Sequence, residues 1–102
     1  MKQVSLNIGQ LVQHKLFGYR GVIYDVDAEF QLSEAWYEQM AKSRPPKDEP
    51  WYRVLVDGSD YETYVAQCNL EPDESDQPIE NPYIDALFTH FTGNRYIAGD
   101  IN

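Results

Sequence analysis

Ile8-Gly9-Gln10-Leu11-Val12-Gln13-His14-Lys15-Leu16-Phe17-Gly18-Tyr19-Arg20-Gly21-Val22-Ile23-Tyr24-Asp25-Val26-Asp27 is the stretch on which the fold turns. Two β-type apolar runs, Leu11-Val12 and Val22 to Val26, flank a tip that contains Gly18 and Gly21. That pattern predicts a long hairpin, with β1 near 10–15 and β2 near 20–27. Small SH3-like barrels commonly begin this way.

Working outward, the pattern changes after Phe30. Ser33 suits an N-cap, and Glu34-Ala35-Trp36-Tyr37-Glu38-Gln39-Met40-Ala41 supplies good helix formers with an acid in the first turn. A short helix inserted between strands is expected. Arg44-Pro45-Pro46-Lys47 cannot extend it, because the prolines remove donors and push their predecessors toward extended geometry. This loop, 42–50, is a stiff connector closed by Asp48 and Glu49, or else a cationic docking segment.

Trp51-Tyr52-Arg53-Val54-Leu55-Val56 and Tyr61-Glu62-Thr63-Tyr64-Val65-Ala66 predict a second hairpin, turning through Asp57-Gly58-Ser59-Asp60. Period-two alternation places Tyr52, Val54 and Val56 on one face and Trp51, Arg53 and Leu55 on the other. Only one set can fill a small barrel, so the other needs a cover, from the inserted helix or the C-terminal segment. Asn69-Leu70-Glu71-Pro72 reads as a short closing strand or 3₁₀ turn, and 73–77 as an acidic connector. Asn81 and Pro82 predict the start of a second helix carrying Tyr83, Ile84, Leu87, Phe88 and Phe91, stopped by Gly93. Residues 94–102 are expected to fray as a flexible tail. The expected fold is thus mainly β: a small SH3-like β-barrel of about five antiparallel strands, with an inserted short helix and a C-terminal helix.

The 102 residues fit one domain, 1–102, with a single core. No run approaches the ~18 apolar residues that span a bilayer, and the N-terminus lacks the apolar segment of a secretory signal, so a cytoplasmic protein with no membrane partner is expected. Cys68 is the single cysteine, which rules out an internal disulfide and points to a structural core or edge residue. His14 and His90 stand in no metal-ligand spacing, so no metal or other cofactor is expected. His14 has no neighbouring nucleophile or carboxylate, and on a strand it reads as a half-exposed barrel residue. Asp25 and Asp27 share a strand face but read as a solvated pair rather than an acid/base couple. Phosphate, dinucleotide and hydrolase glycine motifs are absent from the sequence, so no catalytic residue is assigned and an enzyme is not expected.

The net charge of −9, with eight basic and 17 acidic residues, opposes general nucleic-acid binding. Fourteen aromatic residues suit either a protein-recognition surface or an ordinary small core. Tyr19-Arg20 at the hairpin tip and Arg95-Tyr96 near the C-terminus are the two places where rings and cations adjoin.

The spacing G-Q-x-V-x-H-x-x-F-x-Y-R-G-V-I-x-D-x-D over 9–27 resembles the start of the HspQ family, also called YccV-like or hemimethylated-DNA-binding proteins. The likeness continues through Ser33 to Tyr37, Arg44 to Tyr52, Tyr64 to Leu70 and Gly93 to Tyr96. The resemblance implies an SH3-like barrel in a heat-shock protein without enzymatic chemistry. It also implies two activities: promotion of Lon-type proteolysis of denatured proteins, including an unstable form of the replication initiator DnaA, and binding of hemimethylated DNA at the replication origin. The acidic balance favours the first. The candidate partner-contacting residues are His14, Lys15, Tyr19, Arg20, Arg95 and Tyr96, and the expected partners are Lon protease, denatured clients and, in the alternative, hemimethylated DNA. The excess of aromatic surface would also suit a homo-oligomer.

Overall fold

A computed structural model describes residues 2–99. Strands β1 (Leu11–His14), β2 (Arg20–Asp27), β3 (Trp51–Val56) and β4 (Glu62–Ala66) form in chain order, with helix α1 (Glu34–Met40) inserted between β2 and β3. A 3₁₀ turn at Gln67–Asn69 leads into β5 (Leu70–Pro72). Helix α2 (Ile84–Leu87) then precedes β6 (Phe88–Phe91) and β7 (Tyr96–Ala98).

The first five strands make one antiparallel sheet in the order β4-β3-β2-β1-β5, and β6 pairs with β7. All five strands feed one apolar cluster, including Val12, Ile23, Val54, Val65 and Leu70, so the sheet curls around it. The curl stops short of the expected barrel. β5 is three residues long and pairs with β1, while the 3₁₀ turn carries the chain away from β4 before its outer edge can be matched.

Ser33 caps α1 as its residue type predicts, accepting from the Trp36 amide at 3.1 Å. The opposite face of β3 is covered twice. At one end Trp51 packs with Tyr37, Ala41, Tyr64 and Ala66 beneath α1. At the other, Leu55 joins Leu11, Val22, Ile79, Phe88 and Tyr96 beneath the C-terminal segment.

That segment departs from the expected helix. Only 84–87 is helical; Phe88-Thr89-His90-Phe91 is aromatic and β-branched, and it pairs with β7 to bring Phe88 and Phe91 against Tyr96. Asn81 does not cap a long helix either. Its carbonyl oxygen accepts from the Tyr83 amide, while its amide donates to the Val56 and Tyr61 carbonyls across the β3–β4 turn.

Tyr96 to Ala98, assigned to the tail from sequence, are therefore strand; the last three residues of that tail, 100–102, lie outside the described residues. Gly9 makes the docking possible. With φ of +90°, it accepts at its carbonyl from the Tyr96 amide at 2.8 Å, and a Cβ there would stand 2.0 Å from the Tyr96 carbonyl oxygen.

Candidate functional site

A cleft of about 320 Å³ opens beside β4. One wall is the β1–β2 tip, with His14, Phe17 and Tyr19; the other is α1 and its following loop, with Trp36, Met40 and Pro45; Arg53, Tyr64 and Asn69 also border it. The rings on the second side interlock: Trp51 stacks on Tyr64 at 5.2 Å, and Trp36 meets Tyr64 edge-on at 5.5 Å.

Tyr64 anchors this array. Its hydroxyl donates to Asp27 at 2.6 Å and accepts from the Gln31 amide at 3.2 Å. Burial, reinforced by the Asp27 carboxylate, raises its pKa, so it remains a donor. Arg53 lies over the same ring, 4.9 Å from its centre. Tyr24 donates to Glu62 at 2.8 Å, and burial together with that carboxylate pushes its pKa up to about 12.

His14 is buried rather than half-exposed. Its Nδ1 accepts from both the Leu16 and Phe17 amides at 3.1 Å, which fixes the neutral ring with its proton on Nε2. The ring stacks on Phe17 at 4.5 Å, and burial lowers its pKa. It shapes the tip by holding the turn from inside.

Tyr19 lines the cleft and bonds Thr63 at 2.8 Å. Its neighbour Arg20 turns to the opposite face, where Nε donates to Asp73 at 2.9 Å, Nη1 to Asp57 at 3.0 Å and Nη2 to the Gln77 carbonyl at 2.6 Å. Tyr96 is buried, with its hydroxyl accepting from the Ile79 amide at 2.8 Å. Lys15 is exposed, and Arg95 reaches the Ile8 carbonyl at 3.4 Å. The six candidate residues therefore do not form one patch: His14 and Tyr19 border the cleft, Arg20 and Tyr96 fasten the C-terminal segment to the sheet, and Arg95 lies by the N-terminal strand. The cleft residues missed from sequence are Trp36, Arg53 and Tyr64, whose alliance depends on α1 folding over β3 and β4.

In the 42–50 loop the closing partners differ from those expected. Arg44 pairs with Glu38 at 2.8 Å, and Lys47 pairs with Glu34 while lying 4.3 Å from the Tyr37 ring centre. Glu49 is buried and accepts from the Cys68 amide at 2.9 Å and from Lys2 at 3.0 Å. Burial alone would raise the Glu49 carboxyl, but the Cys68 and Lys2 bonds hold it below its ordinary range. Cys68 itself is exposed, not a core residue. Partial burial and then Glu49 raise its thiol pKa, which suppresses the thiolate.

Asp25 and Asp27 do not work as a couple. Each carboxylate is engaged separately, Asp25 accepting from the Val26 amide and Asp27 from the Tyr64 hydroxyl. Among the described residues no three His, Cys, Asp or Glu side chains gather in a metal-binding group, and no helix is long and apolar enough to cross a membrane. The cleft offers flat rings, a few charges and a strand edge, which is equipment for binding. A family model described as hemimethylated DNA-binding protein YccV like matches residues 4–95.

Proposed function

The chain belongs to the YccV-like family, and from that premise we propose that it is a non-enzymatic binding protein that promotes Lon-type degradation of denatured proteins, the unstable replication initiator DnaA among them. The observation that carries this reading is the aromatic cleft beside β4 in a chain of net charge −9. Rings of this kind give large contact area at low ordering cost, and the acidic field attracts basic polypeptide segments while repelling phosphates. Lys2, Arg20, Arg44 and Lys47, half of the eight basic residues, are already ion-paired within the chain. The test is the degradation rate of a denatured client by purified Lon protease at moderate salt. Faster loss of client with this protein present is the expected result. No acceleration by an excess of folded protein overturns the reading.

The family's description favours a second reading, binding of hemimethylated DNA. Lys15, Lys42, Arg53 and Arg95 are the basic residues outside ion pairs among the described residues, and they would have to supply the phosphate contacts. Replacing Lys15 or Arg95 by alanine should then flatten the salt dependence by about one contact. Arg20 is a poor probe of this reading because its guanidinium is bonded inside the fold. Equal affinity for hemimethylated and fully methylated duplexes overturns it.

A further inference from the structure

The outer edge of β4 is unpaired inside the cleft. In the β3–β4 ladder the Val56 amide bonds the Tyr61 carbonyl at 3.0 Å, and the Gln67 amide bonds the Pro50 carbonyl at 2.8 Å. The register between those points runs without a shift, from Trp51 opposite Ala66 to Leu55 opposite Glu62. Antiparallel pairs alternate between bonded and non-bonded, so Thr63 and Val65 exchange bonds with β3 while the backbones of Glu62, Tyr64 and Ala66 point away from it. Ala66 is buried under α1. Among the described residues, no group bonds the outward amides or carbonyls of Glu62 and Tyr64.

The cleft follows this edge. It is bordered by Thr63 and Val65 from the inner face of β4 and by Glu62, Tyr64 and Ala66 from the outer face. The tip stands on one side and α1 on the other, so a strand laid along the edge would send successive side chains alternately toward two apolar walls.

We propose that β4 captures an extended segment of non-native polypeptide by strand addition, its backbone pairing with Glu62 and Tyr64 and its apolar side chains entering the ring-lined walls. This assigns the client-contacting surface within the proteolysis reading and rests on it. The occupant follows from the chemistry. A free strand edge presents donors and acceptors together at a repeat of roughly 7 Å, which a polypeptide backbone matches and a phosphate chain, carrying only acceptors, does not. Both signs of charge border the edge, Glu62 where β4 begins and Lys42 and Arg53 along the walls, so the backbone match rather than charge selects the occupant. Walls on both sides of the edge admit a single strand more readily than the sheet edge of a second folded copy. A natively folded client already pairs its backbone internally, so the edge discriminates folded from unfolded chains.

The test is a fluorescence-anisotropy titration, without protease, of a labelled nonapeptide of alternating valine and tyrosine flanked by lysines. N-methylating alternate peptide amides of one parity should weaken binding by about three- to tenfold per lost bond, whereas methylating the other parity should change it little. Glu62→Pro deletes one outward amide at a strand end without touching the β3 ladder and should weaken binding similarly when compared with Glu62→Ala, which also lacks the carboxylate but keeps the amide. If the proline variant does not fold, amide exchange in the unaltered protein serves instead, with peptide expected to slow exchange at Glu62 and Tyr64. Equal binding of both methylated parities overturns the proposal. So does self-association through β4 with the peptide inert, or binding of duplex DNA in its place. Because no protease is present, a protein that binds the peptide in this manner but leaves Lon unaffected refutes the proteolysis reading alone.

Discussion

Arg20 Nε lies 2.9 Å from Asp73 Oδ2, which ties the start of β2 to the first residue beyond β5. Asp57 holds the same guanidinium from the β3–β4 turn at 3.0 Å. Arg20→Met should therefore cost stability, by about 2 kcal/mol, an amount between that of exposed and buried pairs because both ends are partly covered. Urea unfolding gives the value. Burial alone would raise the Asp73 carboxyl, but bonds from Ser75 and Arg20 hold it below its usual 3.8. Its stabilising contribution is present above that pH and is lost as pH falls through the lower folded value; in Arg20→Met this acid-side slope should shrink.

His14 gives a second pH dependence in a different window. Its folded pKa lies below 6.5, so as pH falls from 6.5 the unfolded chain takes up the proton first and the native state loses stability. Melting temperatures recorded from about pH 8 to pH 5 should decline on the acid side. His14→Ala should remove that component and destabilise by about 1–3 kcal/mol, because the Leu16 and Phe17 amides lose their acceptor.

Gly21 faces β3 so closely that a Cβ would stand 2.4 Å from Val54 Cγ1 and 2.5 Å from the Leu55 carbonyl oxygen. Gly21→Ala should destabilise by about 3 kcal/mol, since strand backbone rather than a flexible side-chain end must give way. A denaturation midpoint within experimental error of the unaltered protein would contradict this placement of β2 on β3.

Tyr96 tests whether the C-terminal hairpin is part of the core. Tyr96→Phe removes the acceptor for the Ile79 amide and should cost about 1 kcal/mol, whereas Tyr96→Ala should cost about 4 kcal/mol. Deleting 96–102 to probe a tail would for the same reason unfold part of the domain, so loss of activity in such a truncation would say nothing about partner contact.

The two hairpins were legible because alternation and turn glycines are local signals. β2 and β3 occupy their expected ranges, and β1 and β4 differ from theirs only at the ends. The alternation in β3 also foretold that Trp51 and Leu55 would need a cover, which α1 and the C-terminal segment provide. The C-terminal segment itself misled: Ile84, Leu87, Phe88 and Phe91 fit a helical stripe, but the exposed sheet face selects a strand pair from Phe88 onward. Of the site, Tyr19 was found because a ring beside a cation at a tip is conspicuous. Arg20 shared that signal, yet strand alternation sends it to the opposite face, where distant carboxylates receive it. Tyr64 and Arg53 gave no sequence signal of their own, because their pairing exists only across the β3–β4 register.

Synthesis from N- to C-terminus gives the late docking of Tyr96 on Gly9 a consequence of its own. The β1–β4 strands can associate as they emerge, but Leu11, Val22 and Leu55 stay bare until Ile79, Phe88 and Tyr96 have been made. A nascent or prematurely terminated copy thus displays an open greasy face that the finished molecule hides. Completion of the last hairpin is what takes this apolar face out of water.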